Sequence, residues 1–421
     1  MANKILRIGL ASLFVLVLGS GLFGAGFMMG HVTAVDGSSA PLPLLGGGSV
    51  PATQTGQGST PAELSETFAP FWEAWALVHQ EYVDQPVDDQ KLAYGAIKGM
   101  LEALGDRHTG YSTPEESEIL FSDASGELEG IGAEVAAKGD YVEIVSPMPG
   151  SPAEKAGILP GDLIVGVDGE DTTGQDLFTV ITKVRGPAGT TVRLKIIREG
   201  ETAPLEFEIV RAKITIPSVE SKMLDGQIGY VKINSFGDKT MNELKTQLKA
   251  LMDESPKGLV LDLRGNPGGY RDVAIEVASQ FIGDGAIMIQ RYGDGQQEVF
   301  SAIKDGLATD VPLVVLVNRG SASASEIVAG AIQDHQRGTI LGEQSYGKGT
   351  VQDWRPLSND QGSVRITIAR WLTPDERSID KVGITPDVEV KLTKEDRAAR
   401  LDPQLDAAVQ LLAGETITST K

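Results

Sequence analysis

Residues 311–330 read VPLVVLVNRGSASASEIVAG. The first seven are aliphatic almost throughout, as expected of a strand buried on both faces. Asn318, Arg319 and Gly320 then break the run, and serines at 321, 323 and 325 alternate with alanines before a helix-forming stretch. A buried strand passing through a short turn into a helix is the repeating unit of an α/β sheet. The same texture extends on both sides. IGYVKINSF (228–236) and GLVLDLRGN (258–266) read as strands, with MNELKTQLKALMD (241–253) as the helix between them. YRDVAIEVASQFI (270–282) is a further helix, SVRITIARWLTP (363–374) alternates like a closing strand, and DRAARLDPQLDAAVQLL (396–412) is a last helix.

The serines admit a structural reading and a chemical one. Ser323-x-x-Glu326 ahead of an apolar run fits a capping box, which accounts for a serine without catalysis. The same place also suits a nucleophile, because a helix N-terminus offers unpaired N–H groups and positive potential to a developing oxyanion. A serine nucleophile needs a base. His335 lies further down the same helix, roughly 18 Å from Ser323 at 1.5 Å per residue, and cannot reach it. Lys348, in GEQSYGKGT (342–350), is the alternative, and Gly347 and Gly349 beside it allow the backbone to approach a neighbour closely. A lysine base must be uncharged. Bringing its pKa from ~10.4 to near 7 costs about 4–5 kcal/mol, supplied by burial away from water. As a solvated loop residue Lys348 would have no such role.

Other chemistries find less support. The four histidines, His31, His79, His108 and His335, are scattered and show no HExxH spacing. There is no pair of D-[ST]-G signatures and no G-x-S-x-G elbow. The segment 342–350 matches G-x-x-x-x-G-K of a phosphate loop, but Gly349 stands where Ser or Thr would bind magnesium. TVQDWRPL, which follows, reads as strand, whereas a phosphate loop opens a helix. The absence of cysteine excludes thiol catalysis, disulfides and a lipid-modified cysteine. With 58 acidic and 37 basic residues the net charge is −21, which argues against nucleic acid or anionic lipid as partners. The same negative charge favours a lysine ammonium, although screening confines that effect to about 8 Å at physiological salt.

At the N-terminus Lys4 and Arg7 precede a stretch without formal charge from Ile8 to Asp36, His31 aside. That length suits one membrane-spanning helix with its N-terminus in the cytoplasm and the rest of the chain outside. A cleaved signal peptide ending near Val32-Thr33-Ala34 is the rival. Residues 36–63, rich in Gly, Ser, Pro and Thr, read as a tether. In 64–83 a helical period brings Phe68, Phe71, Trp72, Trp75 and Val78 near one face, and a second helix follows in 88–106, ending at Gly105. The aromatic stripe is expected either in a core or against a second copy of the chain in a homodimer.

From about Gly126 short alternating strands take over. SPAEKAGILPGDLIVGVDG (151–169) and GIGAEV (130–135) resemble a PDZ domain of the bacterial, permuted type. The resemblance implies that the loop at Gly130, Ile131, Gly132 and Ala133 meets a peptide's terminal carboxylate. The peptide then adds a strand to the sheet edge, and its last side chain enters an apolar pocket. The rival is a PDZ-like fold that only packs between its neighbours.

Together with LDLRGNPGGY (261–270), NRGSASASEIVAGAIQDHQRG (318–338) and GEQSYGKGTVQ (342–352), these segments resemble the carboxyl-terminal processing peptidases, or tail-specific proteases, from about Leu64 to the C-terminus. The resemblance implies an α/β (α+β) fold with a crotonase-like β-β-α peptidase core, an inserted PDZ domain and an N-terminal helical region. The expected divisions are 1–35 anchor or signal, 36–63 linker, 64–117 helical region, 118–213 PDZ domain, 214–395 peptidase core and 396–421 helical tail. The resemblance also implies Ser323 as nucleophile, Lys348 as general base and Gln352 as the residue orienting it, with Tyr346 replacing the family's common phenylalanine. Oxyanion donors would be the N–H groups of Ala324 and Gly269, and Asp334 is read as structural. No metal or organic cofactor is implied. Partners would be polypeptides with apolar C-termini, and Arg185, within the PDZ segment, is a coupling point between peptide capture and cleavage. The function expected is an extracytoplasmic, membrane-tethered serine endopeptidase, the alternative being an inactive PDZ scaffold. A straight strand would hold Lys348 and Gln352 about 13 Å apart, so the reading requires the chain to bend between them.

Overall fold

The structure is a computed structural model and describes residues 64–124, 127–399 and 401–415. The expected anchor (1–35) and linker (36–63) lie outside the described residues. No helix among the described residues is long and apolar enough to cross a membrane. The chain divides into a unit ending at Met100 and a unit from Leu101 onward.

Two helices make up the described part of the first unit, α1 (Ser65–Glu81) and α2 (Asp89–Glu102), the latter running into the second unit. The aromatic face expected on α1 is there. The Phe71 ring lies edge-on to Trp72 at 5.0 Å, His79 stacks on Trp75 at 5.3 Å, and no residue of this helix is buried.

The second unit opens with β1 (Gly110–Ser112) and α3 (Pro114–Ala124), then β2 (Glu127–Gly130). The PDZ sheet follows, comprising β3 (Ala133–Lys138), β4 (Tyr141–Pro147), α4 (Pro152–Ala156), β5 (Leu163–Val167), β6 (Glu170–Asp171), α5 (Leu177–Val184), β7 (Thr191–Ile197) and β8 (Leu205–Val210). Its order is β3-β4-β5-β7-β8, with β3 at an edge. Burial alternates strictly along Thr191–Ile197, so Val192, Leu194 and Ile196 enter a separate core with Ile144, Ile164 and Val180. The chain leaves through β9 (Ala212–Thr215), which pairs antiparallel with β2. One two-stranded ribbon thus carries the chain into and out of the domain.

The remaining strands and helices are β10 (Val219–Leu224), β11 (Ile228–Ile233), α6 (Thr240–Asp253), β12 (Gly258–Asp262), α7 (Arg271–Ala278), β13 (Ala286–Tyr292), β14 (Gln297–Ser301), β15 (Leu313–Val317), α8 (Ala324–Asp334), β16 (Thr339–Gly342), β17 (Thr350–Pro356), β18 (Ser363–Leu372), β19 (Val388–Glu389), α9 (Lys394–Ala399) and α10 (Pro403–Leu412). A sheet of order β10-β11-β12-β15-β16-β19 is parallel from β11 onward. Its central strands are buried on both faces, as 311–317 predicts. Leu313, Val315 and Val317 pack toward α6, α7 and α8, and Val314 and Leu316 toward Ala407 and Ala408 of α10.

A second sheet has the order β1-β18-β13-β14, with β17 also paired to β18. Residues 110–112, which the sequence division places in the N-terminal helical region, pair with β18 of the core, Gly110 with Arg365 and Ser112 with Ser363. Strand pairing over such sequence separations leaves no local signature.

Candidate active site

Of the three serines, two are committed to holding the turn. Ser321 Oγ donates to the Leu263 carbonyl at 2.8 Å and accepts from Asn318 N–H at 3.0 Å, and Ser325 Oγ donates to the Asn266 carbonyl at 2.9 Å. Ser323, between them, has φ 54° and ψ −114° at the N-terminus of α8. A positive φ is uncommon for a residue with a side chain and costs of order 1–3 kcal/mol, which the surroundings must impose. They do so through Gly268, whose φ is +110°. A Cβ there would stand 2.8 Å from both the Ala322 carbonyl oxygen and Ser323 Cβ. Only glycine lets the 265–270 loop press this close to the serine turn.

The capping box is real and does more than cap. The Glu326 N–H bonds the Ser323 carbonyl at 2.8 Å, and the Glu326 carboxylate turns back to accept the Ser323 N–H at 2.8 Å. The same carboxylate accepts from the Lys348 N–H at 2.9 Å, the Gly347 N–H at 2.6 Å and Ser345 Oγ at 2.6 Å. The backbone nitrogens of Ser323 and Lys348 are therefore no more than two hydrogen-bond lengths apart, both bonded to the same oxygen, Oε2. Glu326 is fully buried. Burial pushes its carboxyl up from the ordinary value, against four donors that favour the anion.

Lys348 is 4% exposed, and burial, followed by the charge of Arg365, pushes its amine down to about 7. Glu326 and Asp106 act in the opposite direction, and Arg107 adds to the lowering. The lysine loop is held on several sides. Trp371 Nε1 donates to the Lys348 carbonyl at 2.9 Å, Tyr346 N–H to the Ser321 carbonyl at 3.0 Å, and Lys381 N–H to the Gly347 carbonyl at 2.8 Å. Gly347 has φ +89°, and a Cβ on Gly349 would meet Asp380 at 2.7 Å. β17 begins only at Thr350, and its ladder with β18 shifts register between Val351 and Gln352, so residues 348–352 are not one straight strand. Gln352 is 2% exposed and donates through Nε2 to Thr350 Oγ1 and Thr367 Oγ1, at 2.8 and 3.1 Å. Its Oε1 is buried with no hydrogen-bond partner among the described residues.

Ala324 N–H lies in the first turn of α8, where no intrahelical carbonyl is available. Gly269 has φ +147° and forms an isolated bridge with Phe236, made by Phe236 N–H to the Gly268 carbonyl and Tyr270 N–H to the Phe236 carbonyl. The Gly269 N–H is not part of that bridge. His335 caps the far end of α8 and contacts the Ala286 carbonyl at 2.7 Å. Asp334 pairs with Arg377 and accepts from Asp375 N–H at 2.8 Å. The phosphate-loop alternative fails on geometry, because a strand follows Gly349 and not a helix.

Sequence reading missed the segment Asp106-Arg107-His108-Thr109. Asp106 accepts from His108 N–H at 2.9 Å and Thr109 Oγ1 at 2.8 Å, and Thr109 Oγ1 accepts from Thr367 N–H at 3.0 Å. Arg107 lies over the Tyr346 ring at 5.2 Å. Burial, then the charges of Lys348 and Arg107, push the His108 imidazole down to about 4. Nothing in the local sequence marked the segment, whose partners lie 257 and 258 residues further along the chain.

In the PDZ domain Gly130, Ile131, Gly132 and Ala133 join β2 to the edge strand β3. They line an open cleft with Val180, Val184 and Arg185 of α5 and its C-cap. The Ile131 and Gly132 carbonyls are engaged by Ala153 and Met148 N–H at 2.8 and 2.9 Å. Gly132 has φ +72°, and a Cβ there would lie 2.6 Å from Ser151 Cβ.

Known proteins resemble the chain over most of its length. The profile of peptidase family S41 matches residues 227–390, a PDZ domain profile matches 143–198, and one described as the activating protease CtpB N-terminal domain matches 46–115. A carboxy-terminal-processing protease of Bartonella bacilliformis is 43% identical over 77% of this chain and 75% of its own. A carboxy-terminal processing protease of Bacillus subtilis is 40% identical over 83% and 73%. Among solved structures, a photosystem II D1 C-terminal processing protease is 32% identical, with a TM-score of 0.52 over 76% of this chain and 92% of that one.

Proposed function

The chain belongs to peptidase family S41 and is a protease with a PDZ domain. On that premise we propose that it is a serine endopeptidase that processes proteins at their C-termini through a Ser323–Lys348 dyad. The observation that carries the proposal is the Glu326 carboxylate bonded to the N–H groups of both residues, beside a buried lysine whose amine burial pushes down to about 7.

Uncharged Lys348 takes the Ser323 proton, and the alkoxide attacks the scissile carbonyl. The tetrahedral oxyanion accepts from the N–H groups of Ala324 and Gly269. Lys348, now an ammonium, donates to the unpartnered Gln352 Oε1 and passes its proton to the leaving amine. It then takes a proton from the water that hydrolyses the acyl-enzyme. The PDZ cleft receives the substrate's C-terminus, the carboxylate at the N–H groups of the 130–133 loop and the peptide paired along β3. Charge patterning supports tethering through residues 1–35 with catalysis outside the cytoplasm. N-terminal sequencing of the mature protein, combined with protease accessibility of intact cells, tests that placement.

The test of the dyad is mass spectrometry of products from a peptide with an apolar C-terminus. Ser323→Ala and Lys348→Ala should each lower kcat by about 10³-fold or more, and the wild type should resist zinc chelators. Full activity in either variant overturns the dyad. A wild type that binds the peptide without cutting it leaves a PDZ scaffold instead.

A further inference from the structure

The Gln352 side chain is buried with its two ends treated differently. Nε2 donates to Thr350 Oγ1 at 2.8 Å and to Thr367 Oγ1 at 3.1 Å, which uses both N–H bonds of the amide, while Oε1 has no partner among the described residues. The bond to Thr367 depends on the irregular ladder. Thr350 pairs with Arg370 and Val351 with Ala369, so regular pairing would set Ile368 opposite Gln352; the register shift sets Thr367 there instead. Opposed residues share a face of the sheet, and the shift thus exchanges an aliphatic neighbour for a hydroxyl. Thr367 is held in turn from the other edge of β18, where β1 pairs. Its N–H donates to Thr109 Oγ1 at 3.0 Å, and Thr109 Oγ1 donates to Asp106 Oδ2 at 2.8 Å. A carboxylate only accepts, so Thr109 gives its proton to Asp106 and keeps its lone pair for Thr367.

We propose that Thr367, together with Thr350, is a positioning residue for the reaction: the two hydroxyls hold the Gln352 amide by its nitrogen and so keep Oε1 as the free acceptor. The inference rests on the reading of Gln352 as the partner of the Lys348 ammonium, and adds to it what orients the glutamine. An amide turned over would present N–H to that ammonium, a donor facing a donor. Asp106 and Thr109, which precede the PDZ domain in sequence, thereby support a side chain that lies some 240 residues further along the chain, through bonds to a single threonine.

The test is a double-substitution cycle in peptide cleavage by the intact protein, with kcat and KM measured separately and thermal melts as a folding control. Thr367→Val keeps the shape and loses the hydroxyl; it should lower kcat about tenfold and leave KM within about twofold. Thr367→Ser should return kcat to within about threefold of wild type. Gln352→Ala should lower kcat at least as far as Thr367→Val does. With Gln352→Ala already present, Thr367→Val should change kcat by less than about twofold, because the group it positions is gone. Effects that multiply in the double variant overturn the proposal, as do a wild-type kcat in Thr367→Val or Gln352→Ala and a failure of Thr367→Ser to recover. If Thr367→Val does not fold, Thr350→Val, which removes the other partner of the same nitrogen, carries the cycle with the same outcomes. Activity that persists in Lys348→Ala sinks the dyad itself; activity abolished there, with Thr367→Val and Gln352→Ala multiplying, sinks only this inference.

Discussion

Lys348 and Ser323 both hold conformations or states that the fold must impose, and each should show it in stability. The lysine amine falls from 10.5 to about 7 on folding, so the unfolded chain binds the proton more tightly between those values. Because the folded value is the lower one, the cost of burial is present in full below about pH 7. It disappears as pH rises through the unfolded value. Lys348→Met, which keeps the stem and loses the amine, should therefore be inactive yet more stable than wild type by about 4 kcal/mol at pH 6. Urea denaturation across pH should show the advantage shrinking toward pH 10.5, and a pH-independent difference would refute it. Activity of the wild type should rise through pH 7. A limb near 4 would implicate His108 in place of the lysine. Ser323 gives a second case. At φ 54° a glycine fits without strain, so Ser323→Gly should exceed Ser323→Ala in stability by about 1 kcal/mol, although glycine usually loses this comparison. Equal melting temperatures would mean that the turn relaxes once the hydroxyl is gone.

At the scale of elements the site is a junction of three loops, each tight enough that backbone is the contact surface. Gly268 and Gly265 test this by their difference. Both have positive φ, but a Cβ on Gly268 would stand 2.8 Å from Ser323 Cβ, whereas one on Gly265 meets nothing within 4 Å. Gly265→Ala should cost about 1 kcal/mol of stability and leave kcat nearly intact. Gly268→Ala should cost about 2–3 kcal/mol and lower kcat at least tenfold by moving the serine turn. Steady-state kinetics and melts on both variants decide it, and equal kcat values would refute the packing argument. These elements also mark what could be read in advance. The run 311–330 disclosed its strand, turn and helix because apolar continuity and a capping pattern are local signals. Glu326 was legible only as a cap, since one of its four bonds is local and three reach a loop some twenty residues on. The register shift between Val351 and Gln352 stayed hidden because an irregularity in a ladder has no residue signature of its own. Asp106 to Thr109 were missed for the same reason on a longer scale, being defined by partners on β18.

Over the whole molecule, sequence-distant pairings join the elements of the peptidase core, and one of them ties α10 to the end of β12. Arg264, just after β12, donates to Asp262 at 2.7 Å and reaches Asp402 at 2.7 Å and Gln404 at 2.9 Å, at the start of α10. Tyr230 donates to the same Asp262 carboxylate at 2.8 Å, and Asp262 is 2% exposed. This cluster fixes the last described helix over Val260, Val314 and Leu316, the face of the sheet away from α8. Removing one partner of such a group leaves a carboxylate without its counter-charge in a place water cannot reach. The penalty is then the desolvation of the orphan and exceeds the modest value of the pair itself. Arg264→Met, which keeps the length of the aliphatic stem and loses the guanidinium, should destabilise the core by about 3–5 kcal/mol. Proteolysis under native conditions should release the C-terminal helix first. The exposed Lys249–Asp253 pair, 67% accessible on both sides, is the contrast; breaking it with Asp253→Asn should cost less than about 0.5 kcal/mol. If urea midpoints show the two substitutions to be equivalent, Asp262 is solvated in solution and α10 is held by its apolar contacts alone.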